Sequence, residues 1–493
     1  MALSTTSNTD RGKARSIVRW FGLGAGPLAA ALAYGLLPES FIASTGALTE
    51  LTGAGRVTIG LLLWMAIWWM TEAVPLEATS LLPLIVLPLT GTDSISSAAA
   101  PYASPLIYLF LGGFLLALSM QRWGLDRRIA LLTLKLVGTR PSNMMGGLMV
   151  ATAVMSAGVS NTATVAMMVP IAIRVSSLLG DDAGSNFRVS LLLSIAYAAS
   201  IGGLATIIGS PPNGFLAQYA SEELGLEITF LDWLQIGLPV TIVFLPLAWL
   251  LLTRVLFKVS REPLAGGREL VQNQLRELGP VRPGELVTLL VFGLAVTCWL
   301  FRPLLAQVVP SITDAGISIA AGLSLFVLPV DRHGTRALNW KIAKKVPWGV
   351  LILFGGGLSL AAAIGDFGVA GFIGSSARNI GELQPLGIVF AITLGVILLT
   401  ELTSNVATVA TLIPLLTALA PSLGLNPIQL AVPITLAASC AFMLPVATPP
   451  NAIVFGSGFV SVHQMMRAGI WLNVVAVLLL TFLSHFVIVP LLL

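Results

Sequence analysis

The tetrapeptide Ser-Asn-x-Ala occurs twice in this chain, inside two segments that are near copies of each other. The first reads SNTATVAMMVPI from Ser160 and the second SNVATVATLIPL from Ser404. Each is followed by a proline pair and an asparagine, GSPPN at Gly209–Asn213 and ATPPN at Ala447–Asn451. A third echo, LFLGGF at Leu109–Phe114 against LFGGGL at Leu353–Leu358, lies at the same 244-residue offset as the first. Polar and helix-breaking residues at corresponding places in two halves of an apolar chain point to a transporter with a central two-fold site.

The apolar character is not in doubt. Of 493 residues, 56% are hydrophobic and only 10% charged, with a mean hydropathy of +0.92. Soluble domains carry about 25% charged residues. Apolar runs of about 20 residues, enough to cross a bilayer, recur along the chain. The reading is an all-α polytopic membrane protein; the weak alternating segments of a β-barrel are not what the sequence shows. Cys298 and Cys440 both sit in apolar context and read as packing residues. Despite a pI of 9.3, the basic residues are scattered over loops between spans, which indicates orientation in a membrane and no nucleic-acid partner. The apolar stretch to Leu37 behind Arg11, Lys13, Arg15 and Arg19 reads as a retained first span.

The pattern predicts eleven crossings and two re-entrant hairpins. Residues 1–56 form a cytoplasmic segment and first transmembrane helix, 57–260 a first repeat, 261–284 a cytoplasmic linker and 285–493 a second repeat. Early crossings are expected near 20–37, 57–73, 76–90 and 104–120, then a surface stretch to Arg140. The first half closes with a hairpin at 142–178, a broken crossing at 187–219 and a crossing at 230–257. Second-half crossings fall near 285–308, 315–331 and 348–364. A surface stretch to Gln384, a hairpin at 386–420, a broken crossing at 427–460 and a last crossing at 468–490 follow. With the N-terminus cytoplasmic, 23 of the 26 Lys and Arg residues lie inside, leaving Arg56, Arg302 and Arg378 outside. An odd number of crossings per half then makes the hairpins enter from opposite faces, an inverted-topology repeat, and leaves the C-terminus outside.

Ser-Asn in the middle of an apolar hairpin leaves backbone polar groups to be filled by protein, water or ligand. Each tip ends one short helix, with free carbonyls that suit a small hard cation, and starts another, whose N–H groups suit an anion. The proline pairs break two further helices. No Lys or Arg occurs in 142–173, 189–253 or 379–466. An anion there meets only hydroxyls, amides and helix ends, so a dianion needs co-bound cations. That favours cation-coupled symport.

Other features read as structural or stay open. Glu401 lies within the second hairpin opposite Ala157 of the first, and is either a buried acceptor or a ligand. Glu72 and Glu77 flank Pro75 and read as fixing a kink. The Gly112-Gly113 and Gly355-Gly356-Gly357 runs read as close helix packing, and Trp64, Trp68 and Trp69 as anchors at a membrane interface. No nucleophile–base pair or metal-ligand cluster is seen (His333, His463 and His485 are dispersed), so the chain is not read as an enzyme.

These motifs resemble those of the divalent anion:sodium symporter family, whose members carry dicarboxylates, citrate or sulfate. WWMTEAVPLEATSLLPL, both Ser-Asn-x motifs, GSPPNG and above all ASCAFMLPVATPPNAIV at Ala438–Val454 carry the resemblance, over about residues 57–490. It implies a homodimer with scaffold and transport domains working by an elevator movement. It implies one sodium at Ser156, Ser160, Asn161 and Gly209, and a second at Thr400, Thr403, Asn405 and Ala447. Substrate carboxylates would meet Ser160, Asn161, Thr162, Ser404 and Asn405, with Ser210, Thr448 and Pro449 nearby. The second motif departs from a full copy, since Val406 stands where Thr162 stands in the first. A hydrocarbon side chain there fits the carbon backbone of a C4-dicarboxylate better than sulfate. The expected function is sodium-coupled symport of C4-dicarboxylates across the cell membrane. A sodium-independent dicarboxylate exchanger of the same fold and a sodium:sulfate symporter are the alternatives.

Overall fold

The computed structural model of the chain describes residues 5–42, 47–177, 180–259, 262, 263, 266–376 and 384–492. Its principal helices are α1 (Thr5–Leu36), α2 (Gly53–Thr71), α3 (Pro105–Trp123), α4 (Leu125–Val137), α5 (Pro141–Ser156), α6 (Asn161–Ser176), α7 (Gly180–Gly203), α8 (Pro211–Glu223) and α9 (Phe230–Leu250). The second half contributes α10 (Gly267–Leu278), α11 (Pro283–Leu300), α12 (Asp314–Val327), α13 (Trp348–Asp366), α14 (Pro385–Thr400), α15 (Asn405–Leu419), α16 (Pro427–Ala438), α17 (Pro449–Gly456) and α18 (Val462–Leu483). Among the described residues, strand is confined to one small antiparallel pair, β1 (Ser40–Ile42) with β2 (Leu48–Glu50), between α1 and α2.

Among the described residues, eight segments are long and apolar enough to cross a membrane, and four shorter apolar helical stretches accompany them. The arms α5, α6 and α14 have 16 residues each and α15 has 15. At about 1.5 Å per residue they reach ~24 Å, short of the ~30 Å hydrocarbon layer. In each pair the two arms pack on each other, α5 on α6 and α14 on α15, over the segments expected as hairpins at 142–178 and 386–420. The crossing expected at 76–90 is not one helix. It divides into Leu76–Thr79 and Pro83–Leu89, because Pro83 has no N–H to continue the ladder to the Thr79 carbonyl. Within the linker expected at 261–284, α10 covers half the length and packs on α4. There Arg128 forms a buried ion pair with Glu285 at the start of α11 and donates to the Gly279 carbonyl at 3.1 Å. Arg378, one of three basic residues placed outside, lies beyond the described residues.

Small residues set the helix spacing. Gly112 on α3 lies directly against Ser318 of α12, whose hydroxyl donates to the Leu109 carbonyl at 2.7 Å. Gly356 on α13 abuts the Ser80 backbone, and a Cβ at Gly357 would fall 2.7 Å from the Phe215 ring. Both glycine runs do the packing expected of them. The tryptophans do not do what was expected. Trp69 is fully buried and donates to the Leu76 carbonyl at 3.2 Å, while Trp64 and Trp68 flank Gly26 of α1. The Trp64 and Trp68 rings seat α1 on α2, while the Trp69 indole N–H finds a buried carbonyl in reach and fixes the turn after α2. Glu72 in that turn adopts φ 47° and pairs with Arg19 at 3.4 Å.

Candidate functional site

The hairpin tips, residues 157–160 and 401–404, are built alike. Ser160 and Ser404 occupy the N-cap positions of α6 and α15, yet neither hydroxyl caps its own helix. The first-turn N–H groups of both helices therefore stay open toward the tip. Ser160, Asn161 and Thr162 are half-buried, as are Ser404, Asn405 and Val406. Behind each tip stands a fully buried hydroxyl, Ser156 or Thr400. Ser156 Oγ contacts Asn161 Oδ1 and lies 2.8 Å from the Ala199 carbonyl. Thr400 Oγ1 lies 2.9 Å from Asn405 Oδ1 and 2.8 Å from the Ala438 carbonyl. A hydroxyl has one proton to donate, so each cluster of three oxygens has a single hydrogen among them. Such an oxygen-rich, proton-poor cluster is a donor set for a hard cation.

The helix breaks complete the arrangement. α7 ends at Gly203 and α8 begins at Pro211; α16 ends at Ala438 and α17 begins at Pro449. In each break the asparagine of the Pro-Pro-Asn motif turns back and donates to two carbonyls of the unwound segment. Asn213 Nδ2 reaches the Gly203 carbonyl at 2.9 Å and Thr206 at 2.8 Å; Asn451 Nδ2 reaches Ala441 and Leu444, both at 3.0 Å. The sequence separations, ten and seven residues, are the same in both halves. Both asparagines are fully buried, and their Oδ1 atoms have no hydrogen-bond partner. The breaks also touch each other through Ser210 Oγ and Ser439 Oγ, 3.2 Å apart and buried.

The structure brings most of the expected residues together. Gly209 belongs with the first tip, because a Cβ at Gly203 would lie 2.8 Å from Asn161 Oδ1 and 3.1 Å from the Gly209 carbonyl. Only glycine fits at that approach. Ser210 and Thr448 are the N-caps of α8 and α17, and Thr448 accepts from the Asn451 N–H at 3.3 Å. Ala447 is buried one residue before, while Pro449 is exposed. Thr403 is the exception among the hydroxyls. It donates to the Leu399 carbonyl at 2.9 Å and lies 2.8 Å from Thr408 Oγ1, so its side chain is engaged within its own hairpin.

Glu401 has four donors. Its carboxylate accepts from the backbone N–H groups of Phe442 (2.7 Å), Met443 (2.9 Å) and Leu444 (3.1 Å), and from Asn473 Nδ2 (2.8 Å). It holds the second break to the second tip. In the first half, Thr206 does the equivalent task by donating to the Ala157 carbonyl, with the Gly209 N–H at 3.0 Å on the same hydroxyl. Thr206, Gly203, Ser439 and Asn473 were not singled out from sequence. Thr206 is matched by Leu444 in the other half, so the repeat could not flag it, whereas Ser439 belongs to a short Ala-Ala-Ser echo of Ala198–Ser200 that lies just before the motifs; Asn213 and Asn451 were already inside the motifs.

The sequence pattern of the sodium:sulfate symporter transmembrane region matches residues 36–492. The chain belongs to this symporter family. Among its relatives, the sodium-dependent dicarboxylate transporter SdcS of Staphylococcus saprophyticus is 38% identical over 500 residues, covering 99% of this chain and 94% of that protein. SdcS of Staphylococcus aureus (strain USA300) is 40% identical over 452 residues, covering 89% of this chain and 87% of its own. Two solved structures share the fold at 12% identity: the YdaH transporter of Alcanivorax borkumensis, TM-score 0.60 over 96% of this chain and 98% of that one, and MtrF of Neisseria gonorrhoeae, TM-score 0.57 over 95% and 94%. The motif resemblance and the all-helical transporter fold read from sequence are both borne out, and this symporter is not an enzyme.

Proposed function

We propose that this symporter couples sodium to the uptake of C4-dicarboxylates by an elevator movement. The observation that carries the reading is the pair of matching oxygen clusters, Ser156–Asn161–Ala199 and Thr400–Asn405–Ala438, each behind a hairpin tip whose helix N-terminus is uncapped. Relatives named as sodium-dependent dicarboxylate transporters support the substrate and the ion. One sodium is assigned to Ser156, Ser160, Asn161 and the Gly209 carbonyl. The other goes to Thr400, Asn405 and the carbonyls of Thr403 and Ala447, since the Thr403 hydroxyl is engaged elsewhere. The substrate carboxylates lie between the tips, on Ser160, Asn161, Thr162, Ser404 and Asn405, with Ser210, Thr448 and Pro449 at the edges and Val406 against the carbon chain. With no Lys or Arg in these segments, sodium supplies the positive charge that a buried dianion requires.

The hairpins, α7, α8, α16 and α17 form the moving body. α1 to α3 and α11 to α13 form the scaffold, through which two copies pair. The protein sits in the cell membrane with its N-terminus cytoplasmic, its C-terminus outside and its two halves inverted. The deciding experiment is radiolabelled succinate uptake into proteoliposomes with and without an inward sodium gradient. Symport gives accumulation only with the gradient; uptake that ignores sodium and requires internal dicarboxylate makes the chain an exchanger. Asn161→Ala and Asn405→Ala should each abolish uptake while leaving elution volume and thermal unfolding close to wild type.

A further inference from the structure

A groove of about 270 Å³ opens between α14 and α18, with Met443 and Asn473, both bonded to Glu401, in its lining. Leu394 and Leu398 form one lip and Val474 and Leu478 the other, all of them exposed. α14 is apolar, and so is α18 from Ile470 to Leu478 apart from Asn473, so in a bilayer the groove opens onto hydrocarbon. No charged side chain lines it. Its lining includes one polar side chain, Asn473, which is 6% exposed. Asn473 Nδ2 is committed to Glu401, and its Oδ1 is buried with no hydrogen-bond partner. A buried acceptor without a donor is rare enough to need a reason.

We propose that this groove binds a neutral, bilayer-soluble small molecule carrying a single O–H or N–H donor. Its hydrocarbon body lies between α14 and α18, and its donor meets Asn473 Oδ1. The absence of charged lining residues excludes an ion as the ligand. The volume falls just below the roughly 300–1,000 Å³ of ordinary ligand pockets, which fits an alkylphenol or medium-chain alcohol. Occupancy would be felt at the candidate site. Met443, also in the lining, and Asn473 both donate to Glu401, the residue after Thr400. A molecule wedged there fixes the 442–444 turn against α18 and restrains the second hairpin.

The test uses the full chain in phosphatidylcholine proteoliposomes with para-hexylphenol carrying a diazirine in its alkyl chain. Photolabelling should saturate, map by mass spectrometry to α14 and α18 around Leu394, Leu398, Val474 and Leu478, and be displaced by unlabelled para-hexylphenol. The methyl ether of the same phenol lacks the donor and should compete about tenfold less well, the effect of one buried hydrogen bond. Val474→Trp, which fills the groove, should remove the labelling while labelling elsewhere on the lipid-facing surface persists. Para-hexylphenol should also slow succinate uptake by the wild type and leave the Val474→Trp protein unaffected. Labelling that never saturates or spreads evenly over the lipid-facing helices overturns the proposal, as does equal competition by the ether. The labelling result does not depend on which substrate is transported, so it stands or falls separately from the symport reading.

Discussion

Glu401 is the residue at which the two halves of the chain diverge most in chemistry. Its first-half counterpart, Ala157, contributes only a backbone carbonyl, which accepts from Thr206. Glu401 gathers three consecutive backbone N–H groups and an amide in a buried setting. Hydrogen bonds to a charged acceptor are worth about 1.5–3 kcal/mol each. In Glu401→Gln, an amide NH2 would face an N–H donor. That variant should lower the thermal unfolding midpoint in detergent and raise the sodium concentration for half-maximal uptake; an unchanged midpoint with unchanged sodium dependence would remove Glu401 from this role. Val406 is the second divergence. It replaces the hydroxyl of Thr162 with a methyl, worth one hydrogen bond of about 0.5–1.5 kcal/mol. Sulfate should therefore compete with labelled succinate less well than malate or fumarate does, and Val406→Thr should narrow that gap. A wild-type protein on which sulfate competes best would contradict the assignment.

At the scale of elements, the broken helices depend on two side chains more than on their prolines. The proline pairs explain why α8 and α17 begin where they do, but they leave unwound carbonyls inside the protein. Asn213 and Asn451 each pair two of these carbonyls, and an unpaired buried acceptor costs roughly 1–3 kcal/mol. Asn213→Ala should thus destabilise the protein by on the order of 2–4 kcal/mol, read as a drop in thermal unfolding midpoint. It should also abolish uptake, because the Gly203 and Gly209 backbone next to Asn161 loses its support. Retained uptake in Asn213→Ala would show that the break holds its shape without the asparagine. The hairpins were legible from sequence, since a Ser-Asn pair within an apolar run needs partners. The division at 76–90 was less so. Its hydrophobicity equals that of a crossing, and only Pro83 and the hydroxyls of Thr79 and Ser80 turned back on Pro75 and Leu76 mark the interruption.

For the whole molecule, the charge bias makes a directional prediction. A single cysteine introduced at Glu227, after replacement of Cys298 and Cys440, should react with an impermeant maleimide added outside intact cells. One at Glu277, on α10, should react only after permeabilisation; the reverse pattern would invert the assigned orientation. The sequence by itself determined the membrane-embedded helical class, the two halves and the four motif segments, because each follows from composition, spacing or local backbone chemistry, and the resemblance of its motifs pointed to the family. Only the tertiary structure decided which polar atoms meet. Thr206 on the Ala157 carbonyl, Ser210 beside Ser439, Glu401 over the 442–444 turn and Asn473 beneath it join segments between 41 and 229 residues apart. No periodicity encodes such pairs. They arise when short helix ends are buried together, and every exposed donor and acceptor must find a partner within reach. The tryptophans of α2 make the same point. Their composition fits a membrane interface, and the proximity of Gly26 and Leu76 put them between helices.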